Sequence, residues 1–161
     1  MKDSAEIAVA GAGSIGCFVG GLLLGAGKNV SFFGRQRIAD ELGRNGLHLT
    51  DYTGLDRKIA PEHLQVNDNP ATLGGADIVL VTVKSGATAE IAGLIANHVP
   101  TTTVIVSLQN GVRNADVLRE LLPDHDVRAG MVPFNVIHPG SGHFHRGTSG
   151  NIVVEKNIYF C

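Results

Sequence analysis

Charge is scarce in this chain: Asp, Glu, Lys and Arg make up 17% of its 161 residues and nearly cancel, to a net −2. No basic run occurs, which argues against nucleic acid as a partner. Cysteine is almost absent. Two residues, Cys17 and Cys161, are too few for a disulfide framework, so a cytoplasmic setting is expected. Cys17 lies in an apolar segment and is expected to be a small core residue. No apolar run is long enough to span a membrane, because glycines interrupt the longest one between Gly16 and Gly27. The polar start, Met1 to Glu6, does not have the layout of a secretory leader. Internal repeats, low-complexity linkers and the G-x-x-x-x-G-K-[ST] pattern of P-loop NTPases are missing too. What remains is expected to be a soluble globular chain, long enough for one domain with a real core.

Glycine, by contrast, is abundant, with 21 residues. Gly11-Ala12-Gly13-Ser14-Ile15-Gly16 gives the spacing G-x-G-x-x-G, between the apolar run Ile7–Ala10 and a helical apolar run from Cys17 to Leu24. Each glycine has its own task in a dinucleotide site. The first turns the chain sharply off a strand, the second lets backbone approach a pyrophosphate, and the third lets a helix lie close on the sheet. The phosphates then meet free N–H groups at the positive end of that helix. The alternative is a glycine-rich turn with no ligand; the flanking strand and helix favour the site.

Hydrophobic periodicity gives strands over 6–10, 29–33, 47–51, 57–60, 64–66, 77–84 and 103–108, then short ones over 127–132, 136–138, 143–145 and 152–155. Helices fall over 14–24, 37–44, 87–97 and 114–122. Gly27 is placed to end the first helix in a left-handed conformation. Gly20 and Gly21 inside that helix each cost about 1 kcal/mol against Ala, a penalty that close packing on the sheet would offset. The 47–51 and 57–60 strands form a hairpin. The alternation implies an α/β fold of the Rossmann type: doubly wound, mostly parallel, with helices on both faces. It covers residues 1–155, with 156–161 as a short tail.

The end of the second strand selects the cofactor. An NAD site wants a carboxylate there for the ribose 2′-hydroxyl. Here the chain reads Phe33-Gly34-Arg35-Gln36-Arg37, with no carboxylate to repel a phosphate. Arg35 can grip one bidentately, with Arg37 as a second candidate, so NADP is expected over NAD. The competing reading of Arg35 is a solvated loop arginine. Lys84 ends the 77–83 strand and Asn110 follows the next, both where ligands lie in open α/β sheets. Each also has a plain reading, as a surface lysine and as a turn asparagine before Gly111. His138, His143 and His145 are expected to be solvent-facing hairpin residues, with no carboxylate or cysteine nearby, and no metal site is expected. Ser14 and Ser85 have no evident base partner, and Asp116 and Glu120 suit a solvated helix face.

Taken in order, Gly11–Gly16, Gly34-Arg35, Val81-Thr82-Val83-Lys84, Gln109-Asn110-Gly111 and Pro139–His145 resemble the N-terminal half of the ketopantoate reductase family over about residues 6–155. The resemblance implies NADPH-dependent reduction of ketopantoate to pantoate, on the route to pantothenate. By this resemblance Gly11, Ala12, Gly13, Ser14, Ile15 and Gly16 would hold the pyrophosphate and Arg35 the 2′-phosphate. Lys84 and Asn110 would line the cleft near the nicotinamide ribose, Asn110 close to the keto acid substrate, and Val136 would offer backbone contact at the nicotinamide end.

The family's helical second domain, which supplies the proton-donor lysine, does not appear before Cys161, so no catalytic residue is expected within this chain. An apolar surface left bare by that domain would favour a homo-oligomer. Two other readings stay open: the cofactor domain of another two-domain keto acid or hydroxy acid dehydrogenase, and a non-catalytic NADP-binding regulatory module. A ketone reduction needs both a hydride and a poised proton donor. The chain alone, mixed with NADPH and ketopantoate, is therefore expected to bind cofactor without sustained turnover. Steady NADPH consumption at ordinary enzyme rates would refute this.

Overall fold

The computed structural model describes residues 4–111 and 113–156. Cys161 and the tail from 157 onward lie outside the described residues, as do 1–3 of the polar start. The chain opens with strand β1 (Glu6–Ala10), helix α1 (Ser14–Gly25), β2 (Asn29–Phe33) and α2 (Gln36–Asn45). The hairpin β3 (Leu47–Asp51) and β4 (Asp56–Ile59) follows, then β5 (Val66–Asn67) and β6 (Ile78–Val81). Helix α3 (Thr88–His98), β7 (Val104–Ser107), α4 (Asn114–Leu121) and β8 (Asp126–Met131) continue the alternation. The chain closes with β9 (Val136–Gly140), β10 (His143–Arg146) and β11 (Val153–Val154).

Seven strands form the main sheet in the order β11-β8-β7-β6-β1-β2-β5. Only its last-formed edge, β11, runs antiparallel to its neighbour. The rest pair in parallel. β1 alternates between the two faces as strand geometry requires. Val9 joins the core under α1, while Ala8 and Ala10 join the core under α3 and α4. Both faces are covered, which explains the near-continuous apolar run of β6.

The hairpin β3–β4 and the strands β9 and β10 leave the main sheet. They form a second, four-stranded sheet in the order β4-β3-β10-β9. Its inner face, with Leu47, Leu49 and Phe144 fully buried, packs against α1 from the side opposite the main sheet. Helix α1 is thus enclosed between two sheets, and its glycines show how. A Cβ on Gly20 would run into the Phe32 ring of β2, and one on Gly21 would lie 2.8 Å from Leu49 of β3. The expected compensation by sheet packing holds, but for Gly21 the sheet is the second one. Gly27 takes φ +86° directly after the helix, and its N–H donates to the Leu24 carbonyl. Burial pushes the Cys17 thiol well above its ordinary range, as a core cysteine requires.

The outer face of the small sheet carries its polar residues in register. One row across the strands is Lys58, His48 and His143; the next is Asp56, Thr50 and His145. The His48 and His143 rings stack with centroids 4.6 Å apart. Thr50 Oγ1 lies 2.7 Å from His143 Nε2 and 2.8 Å from His145 Nδ1. His48 Nε2 meets Asp56 Oδ1 at 2.7 Å, and His138 pairs with Glu41 of α2. Of the three histidines His138, His143 and His145, His138 therefore does have a carboxylate beside it, contrary to the sequence expectation, while His143 and His145 bond to Thr50. Glu41 reaches His138 from α2, 97 residues away in sequence, whereas Asp56 is eight residues from His48 across the hairpin. Among the described residues, no three His, Cys, Asp or Glu side chains converge on a metal-sized site, and no helix is long and apolar enough to cross a membrane.

Two predictions follow from this packing. In an open helix a Gly→Ala change stabilises by about 1 kcal/mol. That gain is expected at Gly93 of α3, where a Cβ meets nothing within 4 Å. At Gly20 the collision with Phe32 outweighs it, and G20A should destabilise by about 1–3 kcal/mol. Urea unfolding of both variants checks the opposite signs. The second concerns pH. Burial, then the neighbouring His48 and His145, hold the His143 imidazole below its ordinary range. The unfolded chain therefore takes up this proton first as pH falls. Stability is complete above about pH 6.5 and declines below it. Melting temperatures at pH 7.5 and 5.5 should show the drop, and H143Q should flatten it. An unchanged slope in H143Q would remove His143 as the cause.

Candidate functional site

The chain winds outward from β1 through β2 to β5, then returns to β6 on the other side of β1. This reversal is the topological switch of a doubly wound sheet, and ligands collect beyond the strand ends there. Four loops meet at those ends. They follow β1 (11–13), β2 (34–35), β6 (82–84) and β7 (108–111).

The glycine loop carries the geometry its spacing implied. Gly11 adopts φ +124°, and a Cβ there would sit 2.8 Å from the Val83 amide nitrogen. Gly16 lies so close to the Gly11 carbonyl and to Val9 that no side chain fits. Gly13 differs, since a Cβ there meets nothing within 4 Å. The first and third glycines are thus consumed by the protein's own packing, while the second faces open space. Gly13 is also the residue before α1. No side chain caps that helix, and its first turn carries no acid. A helix N-terminus left this way suits a phosphate. The residues present fit a dinucleotide on these observations.

The loops are fastened to one another. The N–H groups of Gly11 and Ala12 both donate to the Phe33 carbonyl, at 3.0 and 3.1 Å. Gly34 packs against Ala12, with no room for a Cβ. This brings the backbone leading into Arg35 against the glycine loop. Thr82, just past β6, donates its hydroxyl to the Gly11 carbonyl at 2.6 Å. Arg35, Lys84 and Asn110 are exposed at the loop tips. Lys84 lies beyond the end of β6 at Val81, at the start of the single 3₁₀ turn Ser85–Ala87. Val136 instead opens β9 and packs against the α1 core.

Every charged residue in segments 11–16, 33–37, 82–87 and 108–113 is a cation: Arg35, Arg37, Lys84 and Arg113. Among the described residues no carboxylate pairs with any of these four. A rim of one sign of charge with no opposing acid favours an anionic ligand over a cationic one.

Behind the loops runs a buried polar chain. The Ser107 hydroxyl donates to Gln109 Oε1 at 3.1 Å. Gln109 Nε2 donates to the Val83 carbonyl and to Thr88 Oγ1, at 3.0 and 2.8 Å. Thr88 donates to Asn114 Oδ1 at 3.2 Å. Asn114 Nδ2 donates to the Asn110 carbonyl at 2.7 Å and to Ser85 Oγ at 3.0 Å. Ser107, Gln109, Thr88 and Asn114 are buried, and among the described residues no buried side-chain polar atom lacks a partner. The sequence reading did not single out Thr82, Arg113 or Asn114. The legible signals were a threonine ending an apolar strand, a fourth cation beside Asn110, and an asparagine where the fourth helix starts.

Comparison with known proteins agrees with this geometry. The family described as "Ketopantoate reductase PanE/ApbA" matches residues 7–157. The 2-dehydropantoate 2-reductase of Halobacterium salinarum is 34% identical over 148 residues, which cover 85% of this chain and 47% of that one. The glycerol-3-phosphate dehydrogenase [NAD(P)+] of Moorella thermoacetica is 33% identical over 113 residues, covering 70% of this chain and 32% of that one. Among solved structures, a PanE/ApbA family ketopantoate reductase from Ralstonia eutropha JMP134 superposes with a TM-score of 0.85 at 33% identity. It covers 94% of this chain and 49% of its own. The chain thus spans half or less of the length of these relatives. Matched along nearly all of its length in both sequence and fold, it belongs to the ketopantoate reductase PanE/ApbA family of dinucleotide-binding oxidoreductases.

Proposed function

We propose that these residues form the NADP(H)-binding half of an enzyme that reduces 2-dehydropantoate to pantoate. The observation that carries the cofactor choice is the electropositive rim. Arg35 follows a loop fastened to the glycine turn, and no carboxylate stands where a 2′-phosphate would sit. NADPH would supply the hydride. The chain's own part is to bind and orient. First-turn amides of α1 (Ser14, Ile15, Gly16) face the pyrophosphate, while Gly11, Ala12 and the open position at Gly13 allow its backbone approach. Arg35 grips the 2′-phosphate through parallel N–H donors, with Arg37 adding charge. Lys84 presents a mobile point charge toward the ribose or a substrate carboxylate. Asn110 can both donate and accept at the substrate oxygen.

A second reading has one specific support, the similarity to a dehydrogenase whose name gives a different substrate. In that case the cofactor half is the same and the substrate differs. Calorimetric titration tests the part common to both. NADP+ should bind more tightly than NAD+, and R35A should remove most of that preference, by about tenfold or more, since a charge-assisted phosphate contact contributes about 1.5–3 kcal/mol. NAD+ binding as tightly as NADP+ would overturn the assignment.

A further inference from the structure

The buried polar chain raises a question of purpose. An all-apolar filling would avoid the desolvation cost of four polar side chains. Asn114 stands at its end, in the first turn of α4, where an asparagine ordinarily accepts from a helical N–H. It does not: no side chain caps α4. Its Oδ1 instead accepts from Thr88, and its Nδ2 points at the carbonyls of Asn110 and Gly111 and at Ser85 Oγ. Carbonyls only accept, so the orientation of the amide follows from chemistry.

The contacts fall on particular residues. Gln109 holds the Val83 carbonyl, immediately before Lys84, and Asn114 holds Ser85, immediately after it. Asn114 also holds the Asn110 carbonyl, which accepts a second bond from Ser85 Oγ at 3.3 Å. The Val83 carbonyl before Lys84 is thereby tied to the Gln109 amide, and the Ser85 hydroxyl after it and the Asn110 carbonyl to the Asn114 amide. None of these bonds reaches the glycine loop or the Arg35 loop, which are fastened through the Phe33 carbonyl and, from the 82–84 loop, through the Thr82 hydroxyl to the Gly11 carbonyl.

We propose that Asn114 is a positioning residue: it fixes the loops that carry Lys84 and Asn110, and so sets the nicotinamide end of the cleft more strongly than the adenosine end. This rests on the dinucleotide reading above. The change N114D keeps the shape and removes both donors, leaving a carboxylate against two carbonyls. Both loops should then lose their register.

The test uses the 161-residue chain and two probes, NADP+ and adenosine 2′,5′-bisphosphate, which lacks the nicotinamide half. In N114D the affinity for NADP+ should fall about tenfold or more, given the cost of orphaned buried groups, while that for the bisphosphate stays within about twofold. S85A, a change on an exposed turn that cannot unfold the core, should shift NADP+ in the same direction by less. Equal loss for both probes would mean a general structural role and would overturn the proposal, as would unchanged NADP+ binding in both variants. A wild-type chain that binds neither probe would overturn the dinucleotide reading, and the proposal with it.

Discussion

Helix α1 touches β1 and β2 on one side and β3 on the other, and at neither contact is there space for a methyl group. This double approach governs the rest of the molecule. Gly16 and Gly20 let the helix sink onto the main sheet, while Gly21 lets the second sheet close over it. Gly16, Gly20 and Gly21, inside the helix, weaken its intrinsic stability, since each costs about 1 kcal/mol against Ala. The helix is therefore held by its surroundings, in particular by Phe32, Leu49 and Phe144, all fully buried. Its axis is fixed from two sides, and with it the place where its N-terminus points.

That placement links packing to chemistry. A helix set so low delivers its first amides to the level of the strand ends, where the loops after β2, β6 and β7 also arrive. Two sets of bonds hold those loops. One set, backbone to backbone, ties the glycine turn to the start of the Arg35 loop. The other runs through the buried side chains of Ser107, Gln109, Thr88 and Asn114 and ends on the carbonyls of Val83 and Asn110. The two sets meet at Thr82, whose hydroxyl donates to the Gly11 carbonyl and joins the loop after β6 to the glycine turn.

The main sheet was legible because its signals are local. The G-x-G-x-x-G spacing, the β-branched β6 and the alternation of strand with helix each lie within a short window of sequence. The first glycine turn and Arg35 could be placed from register alone. The second sheet was not legible as a separate layer. Leu47, Leu49 and Phe144 show an inward face, but nothing local tells which helix that face covers. For the same reason the carboxylate beside His138 went unseen, since Glu41 reaches it only through a contact across 97 residues. Asn114 was hidden in another way. An asparagine at the start of a helix suggests a cap, and only the direction of its amide shows that it serves the loops.

The parallel pairing of β3 with β10 has a consequence for the order in which the molecule assembles. Thr50 meets His143 and His145 across 93 and 95 residues of chain. Such contacts repay their loop-closure entropy only after both ends are present. As the chain leaves the ribosome, β1, α1, β2 and the β3–β4 hairpin emerge first. The apolar flank of that hairpin stays uncovered until Phe144 follows. The N-terminal unit, which holds the glycine turn, is thus completed by nearly the last described strand. In a nascent or truncated chain that ends before β10, α1 would remain open to solvent on one side.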